Sequence, residues 1–315
     1  MTVKTNFSKT ELSVILSNYH LGGYKSSKPL THGTVQTNFL LQTTLGKYVF
    51  KYYENRSEGS VLFETSLIRY LKSKNYPCAA PIKNKQGDLV GSYNQKPFVI
   101  FEFVEGQHLA RPNLHQKEQL IEKVAELQNI TKNYKPHNQK DRWNYSIELC
   151  QELASKEAKR LNSANASEKL KWLEDELLKL QLPRPLPKGI CHCDFHFTNV
   201  LFKDGKFEAL LDFDDANYTF LMFDLIGLIE VEAWRYDKDE VLNFIKAKKI
   251  VTKYASYRAL NQNERQHLFD LYKLSILFDC VWYFGRGYVE DFYEKRKIRY
   301  LNEVGREKFY LQLFS

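Results

Sequence analysis

Asp194 is followed by Asn199 with four residues between them, and a strand–turn–strand stretch then leads to Asp212 in LLDFDD. Phosphoryl transfer needs such a set. One carboxylate accepts the proton of the attacking hydroxyl, while an amide and a further carboxylate hold Mg²⁺ on a nucleoside triphosphate. The same region invites another reading, because ICHCDFHFTNVL (190–201) crowds Cys191, His192, Cys193, Asp194 and His196 together. A structural zinc site takes four ligands, usually as two pairs. Cys191 and Cys193 make one C-x-C pair, but Cys78, Cys150 and Cys280 lie far off and none sits in a C-x-x-C. In an extended segment successive side chains alternate. Cys191 and Cys193 would then face one side as packing, and His192 and Asp194 would carry the chemistry on the other. A metallohydrolase built on His192, Asp194 and His196 is the competing reading of the segment.

The elements that must position these residues are legible from periodicity. Ser8 and Glu11 have capping-box spacing, with Leu12, Ile15, Leu16 and Tyr19 following at helical intervals. VQTNFLLQTTLGKYVFKYY (35–53) alternates around a Thr-Leu-Gly turn and reads as a β-hairpin. A helix is expected at 58–73, then strands at 88–93 and 97–104. After VEGQHL the pattern turns helical, with helices expected at 115–131, 144–161 and 167–181. PRPLPKG (183–189) stops the last of these. Two short strands fit 199–203 and 207–212 around a KDGK turn. From 220 onward the chain reads as mostly helical. The expected division is 1–104 and 105–315, a small β-rich lobe with one helix and a larger, mainly helical lobe, hence an α+β fold.

HCDFHFTNVLF followed by LLDFDDA resembles the small-molecule kinases with a protein-kinase-like fold: aminoglycoside phosphotransferases, choline and ethanolamine kinases, and homoserine kinases. Their pattern is H-x-D-x-x-x-x-N, often with a second histidine two places after the aspartate, as His196 is here. A D-F-[DE] segment replaces the D-F-G of protein kinases. The resemblance implies a bilobal protein-kinase-like fold. It also implies transfer of phosphate from ATP with Mg²⁺ to a hydroxyl. Asp194 would be the base, His192 the support of its loop, and Asn199 and Asp212 the metal ligands. Asp214 is a further candidate metal ligand, with a turn cap as its alternative, and Asp224 would brace the catalytic loop.

The resemblance also assigns roles in the first lobe. A strand lysine should grip the phosphates and a helix glutamate should pair with it. Lys51 and Glu64 fit, with Glu54 and Glu58 as competing partners and an ordinary exposed lysine as the alternative. THGTVQTNF (31–39) stands where a phosphate-covering loop belongs. Backbone amides from Gly33 to Gln36, with Asn38 nearby, could cradle phosphates, or the stretch could be an ordinary turn. Glu102 and Val104, in FVIFEFVEG, would offer main-chain contacts to adenine, while Phe101 and Phe103 could instead be core.

The overall layout is most similar to homoserine kinases, but Phe213-Asp214-Asp215-Ala216 departs from what those enzymes place after the metal aspartate. The acceptor therefore stays open among homoserine, choline or ethanolamine, and aminoglycoside types. Glu230, Glu232, Trp234, Asp279, Trp282, Tyr283 and Arg286 combine acidic and aromatic groups that suit an ammonium-bearing molecule. Aromatics at helical spacing also simply pack cores. A catalytically inactive nucleotide-binding module is the alternative function, and a protein kinase is disfavoured because no activation segment follows Asp212.

Net charge is +8, yet the basic residues are scattered. The densest run, EKRKIR (294–299), reads as a solvated helical face, and no nucleic-acid partner is expected. No apolar stretch approaches the roughly 20 residues that cross a bilayer, and MTVKTNFSKTEL has no secretory core. Five scattered cysteines suggest free thiols in a cytoplasmic protein. The expected partners are ATP and a small hydroxyl acceptor.

Overall fold

The computed structural model describes residues 4–31, 35–183, 185–235, 241–292 and 294–315. In chain order the elements are α1 (Lys9–Ser17), β1 (Tyr24–Pro29), β2 (Thr37–Thr43), β3 (Lys47–Tyr52), α2 (Glu58–Ser73), β4 (Gly91–Tyr93), β5 (Lys96–Glu102), α3 (Leu114–Ile130), α4 (Ile147–Leu161), α5 (Ala164–Leu178) and β6 (Lys188–Cys191). Then come β7 (Val200–Lys203), β8 (Lys206–Leu210), β9 (Asn217–Phe220), α6 (Met222–Ala233), β10 (Trp234–Arg235), β11 (Val241–Leu242), α7 (Phe244–Tyr257), α8 (Gln262–Trp282), α9 (Lys295–Val304) and α10 (Arg306–Phe314). They fall into two compact units.

The first unit comprises residues 1–116, 133–142 and 197–216. Its centre is an antiparallel sheet in the order β1-β2-β3-β5-β4. α1 starts at the capping box, with Ser8 and Glu11 satisfying each other's backbone amides. Its Leu12, Ile15 and Leu16 join Phe7, Phe39 and Phe50 in one apolar cluster, each large side chain stabilising by about 2 kcal/mol. Phe50 and Tyr52 belong to that cluster. The period of two along β3 therefore turns the intervening Lys51 to the opposite face. β4 and β5 are joined by Asn94 and Gln95, both in the left-handed region, as a tight two-residue hairpin requires. β1 lies at the sheet edge and escapes the sequence reading. Its YKSSKP is mostly exposed and carries the lysines and proline that keep an edge from pairing further.

The unit is not contiguous, so a single cut near 104–106 does not describe the division. The β7–β8 hairpin joins the first unit through Gln107, which exchanges both backbone hydrogen bonds with Phe202 at 2.9 and 3.0 Å. Leu210 N–H also donates to the Pro77 carbonyl. Residues 133–142 contribute Tyr134, packed on Tyr70 of α2, and Arg142, whose guanidinium lies 5.0 Å over the Phe63 ring.

The second unit comprises residues 117–132, 143–196 and 217–315. It is helical apart from the short β6–β9 and β10–β11 pairs. α8 is its buried spine, with Leu268, Leu271, Tyr272, Leu274 and Leu277 all enclosed. Lys273 and Lys169 are buried and held by oxygen. Lys273 meets Glu176 and Asn302 at 2.9 and 2.7 Å. Lys169 donates to the carbonyls of Phe284, Arg286 and Gly287. The run 294–299 is not simply a solvated face, because Lys297 and Ile298 are buried. All five cysteines are free thiols. Among the described residues no helix is long and apolar enough to cross a membrane.

Candidate active site

In the first unit, Lys51 enters from β3 and Glu64 from the second turn of α2, which starts at a Ser57 cap. The Lys51 ammonium lies 3.2 Å from Glu64 Oε1 and 2.8 Å from Asp212 Oδ1. Lys51 is 6% exposed and Glu64 1% exposed. Burial alone would push the lysine pKa down, but Asp212 and Glu64 outweigh it and hold the ammonium charged. Tyr53 donates to the other Glu64 oxygen at 3.0 Å. The competing glutamates are thereby separated from Lys51. Glu54 accepts from Lys96, Thr37 and Thr5, and Glu58 opens α2.

Asp212 follows β8 in the left-handed region at φ +59, a conformation that aspartate tolerates better than most residues. Leu211 N–H donates to the Asn199 carbonyl at 2.8 Å, so Asn199 and Asp212 come from adjoining stretches of backbone. Both carry hard oxygen donors of the kind Mg²⁺ takes, and the Asp212 side chain is 46% accessible. Asp214 differs. Its carboxylate receives Arg56 Nε at 3.0 Å and Gln36 Nε2 at 2.8 Å. Burial opposes its charge, but Lys51, Arg56 and Gln36 hold it below the usual carboxylate range. Arg56 also reaches Asp215 at 2.7 Å, and Arg142 donates to the Asp214 and Ala216 carbonyls.

Arg56, Arg142 and the side chain of Gln36 were not singled out from sequence, which named Gln36 only for its backbone amide. They carry no motif and act across more than 70 residues of chain. Asn38 sits on β2 opposite Lys51. Glu102 ends β5 and accepts from Ala80 N–H at 3.2 Å. Val104 follows β5 and is half-buried. Phe101 is core, at 7% exposed. Gly33 lies outside the described residues.

In the second unit, β6 ends at Cys191, so the strand alternation expected through Asp194 stops short of it. Cys191 is buried, and its thiol donates to the Phe220 carbonyl at 3.3 Å. Cys193 instead takes φ +62 and is half-buried, a conformation costing a non-glycine residue about 1–3 kcal/mol. Asp224 holds that turn. Its carboxylate accepts His192 N–H at 3.1 Å and Cys193 N–H at 3.0 Å, with Gln128 at 3.2 Å. His192 is wholly buried, and its Nδ1 accepts the Asp194 N–H at 3.3 Å. Asp194 itself is exposed. Among the described residues no three His, Cys, Asp or Glu side chains gather as a metal site. Asp224→Ala strands two N–H groups and should lower stability by about 3 kcal/mol; urea unfolding of the variant measures this.

Asp194 and His196 lie in the wall of a cavity of about 570 Å³. The expected acidic and aromatic residues divide there. Glu230, Asp279, Trp282 and Tyr283 line the cavity. Glu232 pairs with Lys117 at 2.6 Å. Trp234 is buried core beside Tyr272, and Arg286 lies 4.1 Å over the Tyr283 ring. Trp282 stacks on Trp143 with centroids 4.6 Å apart.

The sequence model of the Phosphotransferase enzyme family matches residues 26–260. The chain belongs to this phosphotransferase family. It is a small-molecule kinase with an alcohol group as acceptor. The phosphotransferase is 30% identical to the homoserine kinase of Rhodospirillum rubrum over 267 residues, which is 84% of this chain and 81% of the relative. It is 28% identical to the homoserine kinase of a Chelativorans species, over 85% of this chain and 82% of the relative. Among solved structures it is similar to an amicoumacin kinase in complex with AMP-PNP and Ca²⁺, with TM-score 0.65, 15% identity, and 97% and 94% of the two chains covered. A spectinomycin phosphotransferase in complex with ADP and spectinomycin gives TM-score 0.60, 14% identity and 99% of both chains. The phosphotransferase therefore has the protein-kinase-like fold.

Proposed function

We propose that this phosphotransferase moves the γ-phosphoryl group of ATP, with Mg²⁺, onto a hydroxyl of a small amine-bearing molecule. The observation that carries the reading is the buried Lys51 ammonium shared between Glu64 and Asp212 at 3.2 and 2.8 Å. An ion pair with no function at this depth is costly to desolvate, whereas a charged lysine fixed beside a half-open carboxylate is what triphosphate binding requires. In this reading Lys51 binds phosphate oxygens, and Glu64 fixes its position. Asn199 and Asp212 hold Mg²⁺, which supplies charge neutralisation on the phosphates. Asp214, engaged by Arg56 and Gln36, shapes the metal-binding turn. Asp194 takes the acceptor's proton, and His192 orients it.

Support for ATP comes from the kinase neighbours crystallised with AMP-PNP and ADP. Support for an amino acid or amine acceptor comes from the homoserine kinases among the relatives and from the carboxylates lining the cavity. A transfer screen with γ-labelled ATP and Mg²⁺ against homoserine, choline, ethanolamine, sugars and aminoglycosides should label at least one amine-bearing acceptor. Release of free phosphate alone, with every acceptor unlabelled, would refute the reading.

A further inference from the structure

The cavity's charges are unequal. Its wall carries the carboxylates of Glu230, Asp279 and Glu294 besides Asp194 and Asp224. Among the described residues its one lysine or arginine is Lys297. That lysine is buried and already placed, with its ammonium 2.5 Å from Glu230 Oε2 and 2.5 Å from Glu294 Oε2. One ammonium is thus shared between two carboxylates. Asp279, on α8, is half-buried in the cavity wall, and its carboxyl accepts no hydrogen bond from a described residue. Trp282, Phe278 and Tyr145 line the same cavity.

A zwitterionic amino acid needs two receptors here, a carboxylate for its ammonium and a cation for its carboxylate. The first is present in Asp279. Among the described residues of the cavity wall the second is not, because the ammonium of Lys297 is already shared between Glu230 and Glu294. We propose that the cavity selects an acceptor that carries an ammonium group and no free carboxylate, with Asp279 receiving the ammonium and the Glu230–Lys297–Glu294 cluster turning carboxylates away. The inference rests on reading this cavity as the acceptor site. It departs from what the names of the homoserine kinase relatives would suggest for this chain.

Asp279 supplies an independent readout. Burial, reinforced by Glu230 and Glu294 and opposed by Lys297, pushes its carboxyl up to about 7. Asp194, His196, Asp224, Cys193, Tyr145 and Tyr283 are the other ionisable groups of the cavity wall among the described residues. An ammonium bound against Asp279 favours its charged form, so binding expels a proton when Asp279 is protonated. Affinity for the amine should therefore rise as pH rises through 7 and level off above. Asp279→Asn should remove that rise along with most of the affinity.

Matched pairs that differ by one carboxylate test the proposal: ethanolamine against serine, and 3-aminopropan-1-ol against homoserine. Calorimetric binding to the whole protein and transfer from ATP are measured in parallel. The proposal expects the carboxylate-free member of each pair to bind at least tenfold more tightly, and Asp279→Asn to weaken binding of ethanolamine and 3-aminopropan-1-ol at least tenfold. Equal or tighter binding of serine and homoserine overturns it, as does failure of all four to bind. Binding with the expected preference but without transfer leaves this inference standing and removes the kinase assignment. Transfer that favours homoserine does the reverse.

Discussion

Replacing Asp194 with asparagine should lower the rate of phosphate transfer by about 10³-fold, in the middle of what a positioned general base contributes, and leave ATP binding unchanged. Asparagine keeps the shape and the backbone bond to His192 Nδ1 but has no carboxylate to receive a proton. The turn that presents it stays built, because Asp224 holds the amides of His192 and Cys193 independently of the Asp194 side chain. The loss should thus fall on kcat, with melting temperature and nucleotide affinity near wild type. If the variant retains wild-type turnover, the base is another group. His196, exposed and in the wall of the same cavity, would be the next residue to replace.

Removing Lys51 has a second large effect, on stability as well as activity. Lys51→Met leaves Glu64 buried without its cation. Breaking one side of a buried ion pair costs about 3–5 kcal/mol, and under the role proposed for Lys51 the variant should also lose its grip on phosphate. Burial, no longer offset by Lys51, pushes the Glu64 carboxyl up, and the Asp214 and Asp212 charges add to the shift. A carboxyl whose folded pKa lies above its unfolded value is most stable below the unfolded value, and it loses stability as pH rises through the folded one. Lys51→Met should therefore melt at a higher temperature as pH is lowered from 7 toward 5. Adding Glu64→Gln should restore most of the stability at pH 7 without restoring transfer. If Lys51→Met is as stable as wild type at pH 7, the ion pair does not stabilise the lobe.

The parts of the fold written in local sequence were legible. The capping box at Ser8 and Glu11, the hairpin around Gly46 and the helix from Glu58 to Ser73 each depend on residues a few positions apart. The meeting of Lys51, Glu64 and Asp212 was legible because their spacing repeats a pattern tied to one chemistry. The cluster that fixes Asp214 was not reached. Arg56 and Gln36 meet Asp214 across 158 and 178 residues of chain, and neither belongs to any spacing rule. Lys297 was hidden for a different reason. A lysine inside EKRKIR looks like solvent-facing charge, and only the folded position of Glu230 shows that it is buried. β1 was missed because an edge strand needs neither alternation nor apolar residues.

The most direct test is the chemical form of the product. Wild-type protein with ATP, Mg²⁺ and an amine-bearing alcohol should give a new phosphomonoester resonance by ³¹P NMR as the γ-phosphate signal of ATP declines, and Asp194→Asn should give none while still binding ATP. A phosphorus bonded to the acceptor's nitrogen, inorganic phosphate alone, or equal ester formation by the variant would contradict hydroxyl phosphorylation directed by Asp194.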